Sequence, residues 1–348
     1  MRSSTRGCVL PDVPLLAVHD LTVAFRTQTG RVTVVDRVSF TIGEGEIVGL
    51  VGESGSGKTL TCLSLIGLIA DPNLEVTGSV VFKGQELVSA PPRLLRRLRG
   101  GDIAVIFQDP MTALTPVHTI GSQIVEQIRT HTDLSARAAR TRAVDLLAAV
   151  GLADPMLVAD RYPHQLSGGM RQRAFIAMAL SCDPSLLIAD EPTTALDVTI
   201  QSQILELLER LRREFGSAIA LITHDLGVVG EVADRVMVMY AGRIVEAGPK
   251  DRVLLAPEHP YTWGLLRSIP ALHGPKPHRL PTIGGAPPSL AALPEGCAFH
   301  PRCAFSREAC LVRPPLAGRG DKQVACIIPP QEAVSLRAAI FPPARDVA

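Results

Sequence analysis

Gly52-Glu53-Ser54-Gly55-Ser56-Gly57-Lys58-Thr59 decides how this chain is read. It fits G-x-x-x-x-G-K-[ST] at each fixed position, follows the apolar run 47–51 and precedes the apolar-periodic stretch 60–70. A strand, a glycine-rich turn and a helix in that order turn successive backbone N–H groups toward one phosphate at a helix N-terminus, where the helix dipole also favours negative charge. Gly52, Gly55 and Gly57 permit positive φ between the short side chains of Ser54 and Ser56. Lys58 is placed for the β- and γ-phosphates and the Thr59 hydroxyl for Mg²⁺.

The surrounding pattern says what sheet carries the loop. Residues 15–25 and 32–42 are β-branched and partly alternating, with Gln28-Thr29-Gly30 as a turn signal between them, which predicts an antiparallel pair. Short apolar runs recur at 47–51, 103–107, 186–189, 219–223 and 236–240. Helical patterns separate most of them; in 201–215, Ile204, Leu207, Leu208, Leu211 and Phe215 share one face. Buried strands alternating with helices predict an α/β fold with a mostly parallel, helix-covered sheet. Residues 110–181 show no comparable strand run and read as a helical insertion.

Composition bounds the rest. At 348 residues the chain has room for roughly two domains. With 35 Lys+Arg against 34 Asp+Glu, its charge is too balanced for a protein that coats nucleic acid. Mean hydropathy is high, +0.23, yet no apolar run approaches the twenty or so residues that cross a bilayer. Pro11, Asp12 and Pro14 interrupt the N-terminal apolar stretch, so a cytoplasmic globular protein is expected. Sixteen of the 28 prolines fall in residues 250–348, where the net charge is +5 against −4 for residues 1–249. This divides the chain into a tail at 1–14, a body at 15–249, a Pro-rich linker at 250–295, a cysteine region at 296–330 and a tail at 331–348.

The phosphate loop needs a second half. Residues 186–189 form an apolar run ending in Asp190-Glu191. Asp190 is placed to hold Mg²⁺ and Glu191 to polarise an attacking water as general base. Ser167-Gly168-Gly169 opens a helical pattern over 170–180, a further anion-binding N-terminus or, more simply, a helix N-cap.

Four of the seven cysteines, Cys297, Cys303, Cys310 and Cys326, fall within thirty residues. A nucleotide hydrolase in a reducing compartment disfavours disulfides. Structural zinc usually uses a C-x2–4-C knuckle, which is missing, and a larger iron–sulfur cluster suits the wider spacing. Spacing leaves zinc and iron–sulfur both open.

Between the two halves of the nucleotide site, Leu166-Ser167-Gly168-Gly169-Met170-Arg171-Gln172-Arg173 resembles the signature of ABC-transporter ATPases. The family most often has Gln where this chain has Met170; the peptide-importer branch resembles it in having Met. Gln108 in Phe107-Gln108-Asp109-Pro110 resembles the family's Q-loop, Ala195-Leu196-Asp197 its D-loop and His224 in Thr223-His224-Asp225 its switch histidine. His259-Pro260-Tyr261-Thr262, Gly296-Cys297, His300-Pro301-Arg302-Cys303, Cys310 and Val324-Ala325-Cys326 resemble the C-terminal region of oligopeptide/dipeptide-importer ATPases.

The resemblance implies a P-loop ABC ATPase core with an antiparallel β subdomain and a helical subdomain. It implies ATP and Mg²⁺ as cofactors, with Thr59, Gln108 and Asp190 on the metal and Phe25 stacking on adenine. Lys58, Gln108, Glu191 and His224 would be catalytic, and Ser167, Gly168, Gly169 and Asp197 would meet a nucleotide across a head-to-tail dimer. Some family members hold a [4Fe-4S] cluster on such cysteines, which makes Cys297, Cys303, Cys310 and Cys326 candidate ligands, with zinc the alternative. The implied partners are a second ATPase subunit (self or paralogue), two membrane permease subunits and an extracytoplasmic substrate-binding protein, at the cytoplasmic face of the plasma membrane, with no nucleic acid. Nickel and oligosaccharide importers, and soluble ABC ATPases of translation or repair, are the rival readings. One phosphate loop and no long heptad tract count against the soluble ones.

Overall fold

The computed structural model describes residues 13–28, 30–109, 113–194, 197–269 and 282–340. Its strands are β1 (Leu16–Thr27), β2 (Gly30–Ile42), β3 (Ile47–Val51), β4 (Leu74–Phe82), β5 (Gln85–Glu86), β6 (Ile103–Ile106), β7 (Leu186–Asp190), β8 (Ala218–Thr223), β9 (Arg235–Tyr240), β10 (Arg243–Pro249), β11 (Ala317–Arg319) and β12 (Lys322–Val324). They form a four-stranded sheet, β2-β1-β4-β5, and an eight-stranded one, β11-β12-β10-β9-β3-β8-β7-β6. Strands β9, β3, β8, β7 and β6 are mutually parallel. The edge β10, β12, β11 is antiparallel.

Alternation along the parallel strands divides the interior in two. Ile47, Val51, Leu187, Ala189, Ile219 and Leu221 face the layer containing the helical insertion and the helix Val198–Phe215. Val48, Leu50, Leu186, Ile188, Ala220 and Ile222 face the antiparallel sheet and the helix Lys58–Leu65. The phosphate loop thus leaves a strand whose two faces are both buried.

The expected antiparallel pair is present, with Leu16 opposite Ile42 and Thr27 opposite Gly30; Thr29 lies outside the described residues. The described part of 110–181 is helical, with Ile120–His131, Ala136–Ala149, Pro155–Ala159 and Gly168–Ala179. Helix Val198–Phe215 starts three residues before the periodic stretch, because the Asp197 side chain accepts from Ile200 N–H at 3.0 Å and caps it. It ends at Gly216, in the left-handed conformation at φ 69.

The division at residue 249 needs correcting. The stretch 250–295 is no bare linker: it contains helix Pro260–Arg267, whose Tyr261 and Trp263 are fully buried. The cysteine region joins the large sheet, since β12 pairs with β10, Glu246 opposite Val324. Nor is 331–348 wholly a tail, for helix Pro330–Ile340 buries Ala333 against Trp263 and Ile328. Proline density reports local chain stiffness, whereas burial here is decided by a few large aromatic side chains that composition averages away.

Candidate functional site

The N-terminus of helix Lys58–Leu65 is built by close approach. Gly57, its N-cap, has φ 101. At Gly52 a Cβ would lie 2.2 Å from the Met239 carbonyl oxygen, so only glycine lets β9 pass there. Lys58 curls back into the loop, donating from Nζ to the Gly52 carbonyl at 2.7 Å and the Glu53 carbonyl at 2.9 Å. Burial pulls its ammonium below the usual lysine range, against the nearby charges of Glu191, Asp190 and Glu53. Exchanging two carbonyls for phosphate oxygens would relieve that cost.

Strand β7 carries the carboxylates to the same end of the sheet, next to β8 and one strand from β3. Thr59 Oγ1 donates to Asp190 Oδ1 at 3.1 Å, so two expected Mg²⁺ ligands already meet. Burial raises the Asp190 carboxyl; the Thr59 hydrogen bond opposes it and the neighbouring Glu191 adds to it.

Glu191 has φ 46, unusual for a residue with a side chain, and its N–H is held by the Ile222 carbonyl at 2.9 Å. Three expected or neighbouring groups converge on its carboxylate. Gln108 Nε2 donates to Oε2 at 3.0 Å, Thr194 Oγ1 donates to the same oxygen at 2.8 Å, and His224 Nδ1 lies 3.1 Å from Oε1. Burial alone would raise this carboxyl, but the hydrogen bonds from Thr194 and His224, with the His224 and Lys58 charges, hold it below the usual range. A carboxylate of this kind stays ionised at neutral pH and is held at both oxygens. With Nε2 committed to Glu191, the Gln108 amide oxygen is the atom left for a cation.

Thr194 escaped the sequence reading. Its only signal was a hydroxyl three residues after Glu191, which is common anywhere in a chain.

The signature stands elsewhere. Ser167 caps helix Gly168–Ala179 by accepting from Met170 N–H at 3.3 Å. Ser167, Gly168, Gly169 and Asp197 line one cavity of about 510 Å³, together with Met170, Arg173 and Ile200, and no residue of the phosphate loop borders it. The signature residues and the phosphate loop therefore lie apart within the one chain. Ala195 and Leu196 of the expected D-loop lie outside the described residues. Phe25 is half-buried on β1, opposite Val32 and Leu74, and outside both large core clusters.

All six described cysteines are free thiols. Cys297, Cys303, Cys310 and Cys326 line a single void of about 20 Å³ with His259, Phe299, His300 and Phe305. Burial pushes the Cys303 thiol up to about 11, and raises Cys297 and Cys326 as well. Among the described residues no set of three or more His, Cys, Asp or Glu forms a group that could hold a metal ion. The void has room for about one water-sized sphere, so these thiols share a centre without standing at ligand spacing around it.

Comparison with known proteins extends the picture over most of the chain. Residues 35–194 match the family described as ABC transporter, and residues 245–310 match the oligopeptide/dipeptide transporter C-terminal region. A Brucella melitensis protein named for peptide import ATP binding is 51% identical over 316 residues, covering 87% of this chain and 94% of that one. The oligopeptide transport ATP-binding protein OppD of Haemophilus influenzae is 51% identical over 303 residues, covering 87% and 93%. Among solved structures, the ATP-binding cassette MJ0796, dimeric in a post-hydrolysis state with ADP and Pi, aligns with a TM-score of 0.61 at 26% identity, covering 68% of this chain and 98% of that one.

Proposed function

The chain belongs to the ABC transporter ATP-binding family, with that family's oligopeptide/dipeptide C-terminal region, and from this membership we propose that it drives import of peptides. It is the ATP-hydrolysing subunit; the cargo is carried by others. Among the described residues no helix is long and apolar enough to cross a membrane. The reading therefore gives it two permease subunits, a second ATPase subunit and an extracytoplasmic binding protein as partners, and places it peripherally at the cytoplasmic face.

The observation that carries the hydrolytic reading is the convergence of Gln108, Thr194 and His224 on Glu191, beside Asp190 and Thr59. Glu191 takes a proton from the attacking water, at a carboxylate whose orientation is fixed at both oxygens. Lys58 leaves its carbonyl partners for the β- and γ-phosphates, and the loop amides after Gly52 bind the same groups. His224, on the exposed side of Glu191, would donate to the γ-phosphate. Thr59, Gln108 and Asp190 would hold Mg²⁺, which offsets the charge on the phosphates. Phe25 offers a ring to adenine.

The separation of the signature cavity from the phosphate loop supports a head-to-tail dimer, in which Ser167, Gly168, Gly169 and Asp197 of one subunit close on nucleotide held by the other. ATP then binds two subunits together, and hydrolysis lets them part.

For the four cysteines we propose a [4Fe-4S] cluster, in preference to zinc. What supports a shared centre is their convergence on one void and the absence of disulfides among the described cysteines; the preference for a cluster rests on the wide ligand spacing and the resemblance to importer ATPases. Ligation requires the thiols to lose protons that burial now holds and to move apart around the cluster, since their void is smaller than the group. The test of cargo is ATP-dependent uptake of a labelled peptide mixture by proteoliposomes carrying the permeases, this ATPase pair and the binding protein. Uptake of nickel or an oligosaccharide in place of peptide would overturn the peptide reading while leaving the ATPase assignment intact.

A further inference from the structure

The C-terminal element meets the nucleotide site at Glu53, the second position of the phosphate loop. Arg302, the neighbour of Cys303, sets its guanidinium against the Glu53 carboxylate in a two-pronged pair, Nη1 to Oε2 at 2.7 Å and Nη2 to Oε1 at 2.9 Å. The Arg302 side chain is only 5% exposed. Its Nε donates to the Gly284 carbonyl at 2.9 Å, and its guanidinium lies 5.8 Å from the Tyr240 ring centre and 5.9 Å from that of Phe299. From the same side, the fully buried Tyr261 accepts the Glu53 backbone N–H on its hydroxyl at 2.8 Å. The Glu53 carbonyl, in turn, is one of the two groups that hold Lys58.

Side chain, amide and carbonyl of one loop residue are thus all committed, the first two to residues from beyond the ATPase core. A bidentate guanidinium–carboxylate pair fixes orientation as well as distance. A surface tether would not need the near-complete burial of its arginine.

We propose that Arg302 is a positioning residue for ATP binding, and that through Glu53 it couples the four-cysteine element to the phosphate loop. Arg302 touches neither nucleotide nor reacting atoms in this scheme; it sets where Glu53 holds the loop, and hence where Lys58 can go. By reciprocity, nucleotide binding must stabilise the segment that carries Arg302 and the cysteines.

The proposal rests on the nucleotide site described above, so the experiment separates the two. Purified full-length protein is titrated with MgATP by competition with a fluorescent analogue, for the parent and for Arg302→Gln, Arg302→Lys, Glu53→Gln and the Arg302→Gln/Glu53→Gln double variant. Arg302→Gln and Glu53→Gln should each weaken ATP binding about tenfold and raise KM more than they lower kcat. The double variant should bind no more weakly than either single one, and Arg302→Lys should recover part of the loss. Hydrogen exchange in the 296–310 peptide should slow on adding MgATP to the parent and not to Arg302→Gln. Should Arg302→Gln fail to fold, Tyr261→Phe, which keeps the buried ring and loses the acceptor, should weaken binding about threefold. Dissociation constants within twofold of the parent, additive losses in the double variant, or exchange that ignores nucleotide would each overturn the coupling. A parent protein that binds no ATP would instead overturn the nucleotide site itself.

Discussion

The ammonium of Lys322 lies 3.2 Å from Oε1 of Glu246, and neither side chain is exposed at all. Lys322 also meets Glu258 Oε1 at 3.0 Å and the Ala256 carbonyl, while Glu246 accepts the backbone N–H groups of Glu258 and His259. A charge pair sealed inside a protein is costly to halve, because the survivor is left buried and unpaired. Lys322→Met should therefore cost about 3–5 kcal/mol of stability. Adding Glu246→Leu should return part of that loss, read as urea midpoints; additive losses would show that the two charges do not compensate one another.

That pair also shows where the sequence stops being legible. The nucleotide site could be read because its residues lie within short motifs: Gly52 to Thr59 is continuous, and Asp190 and Glu191 end an apolar run. The strands around it were legible because both their faces are buried. Strand β10 and its pairing with β12 were not, since Lys322 and Glu246 look like ordinary surface charges until the fold buries them together. The Arg302–Glu53 contact spans 249 positions and has no local pattern to announce it. Composition placed the four cysteines in one region, but only tertiary structure brings Cys326 to the others.

Removing the base isolates the chemical step. Glu191→Gln keeps the shape and the Thr194 and Gln108 neighbours but cannot take a proton. Turnover should fall at least 100-fold, the scale of a general base's contribution. ATP affinity should change little, and a dimer should persist on gel filtration with MgATP. Hydrolysis within tenfold of the parent would assign the proton to another group.

A signature glycine tests the composite site. Gly168 is exposed, and a Cβ there would meet nothing within 4 Å. Gly168→Glu should therefore leave the melting temperature unchanged, and a carboxylate in the first helical turn is favourable in its own right. Each subunit should still bind ATP through its own phosphate loop. Hydrolysis should be lost, because the new charge would face the γ-phosphate held by the partner. Normal turnover in this variant would exclude the closed head-to-tail arrangement.

Acid sensitivity should trace to His259. It is buried, its Nδ1 accepts Tyr261 N–H at 3.1 Å as the cap of helix Pro260–Arg267, and Glu246 receives its backbone N–H. Burial, with the Arg319 charge nearby, lowers it to about 3. The unfolded chain, at the ordinary histidine value of about 6.5, binds this proton first. The native state's advantage is thus present above about 6.5 and is lost as pH falls toward about 3. Between pH 6.5 and 5, before most carboxylates titrate, this one group should remove about 2 kcal/mol of stability. His259→Asn retains a capping acceptor and should flatten that slope in urea titrations, even if its stability at pH 7 is lower. An unchanged slope would mean that another group carries the proton.

A cluster among the four cysteines would have to make its own space. Their void is too small for a cluster as it stands, so assembly must spread the thiols, and Cys303 must lose a proton that burial holds to about 11. Four thiolates around a [4Fe-4S] core give a brown protein. Anaerobically purified protein should absorb near ~400 nm and contain about four irons per chain. Cys303→Ser should lose the colour and most of the iron. Because the Cys310 carbonyl accepts the Cys297 N–H at 2.8 Å and Gly296 packs directly on the Cys310–Leu311 backbone, the loop keeps a scaffold independent of metal. The apo protein should accordingly remain folded by circular dichroism. Colourless protein holding one zinc per chain would replace the cluster with the smaller ion.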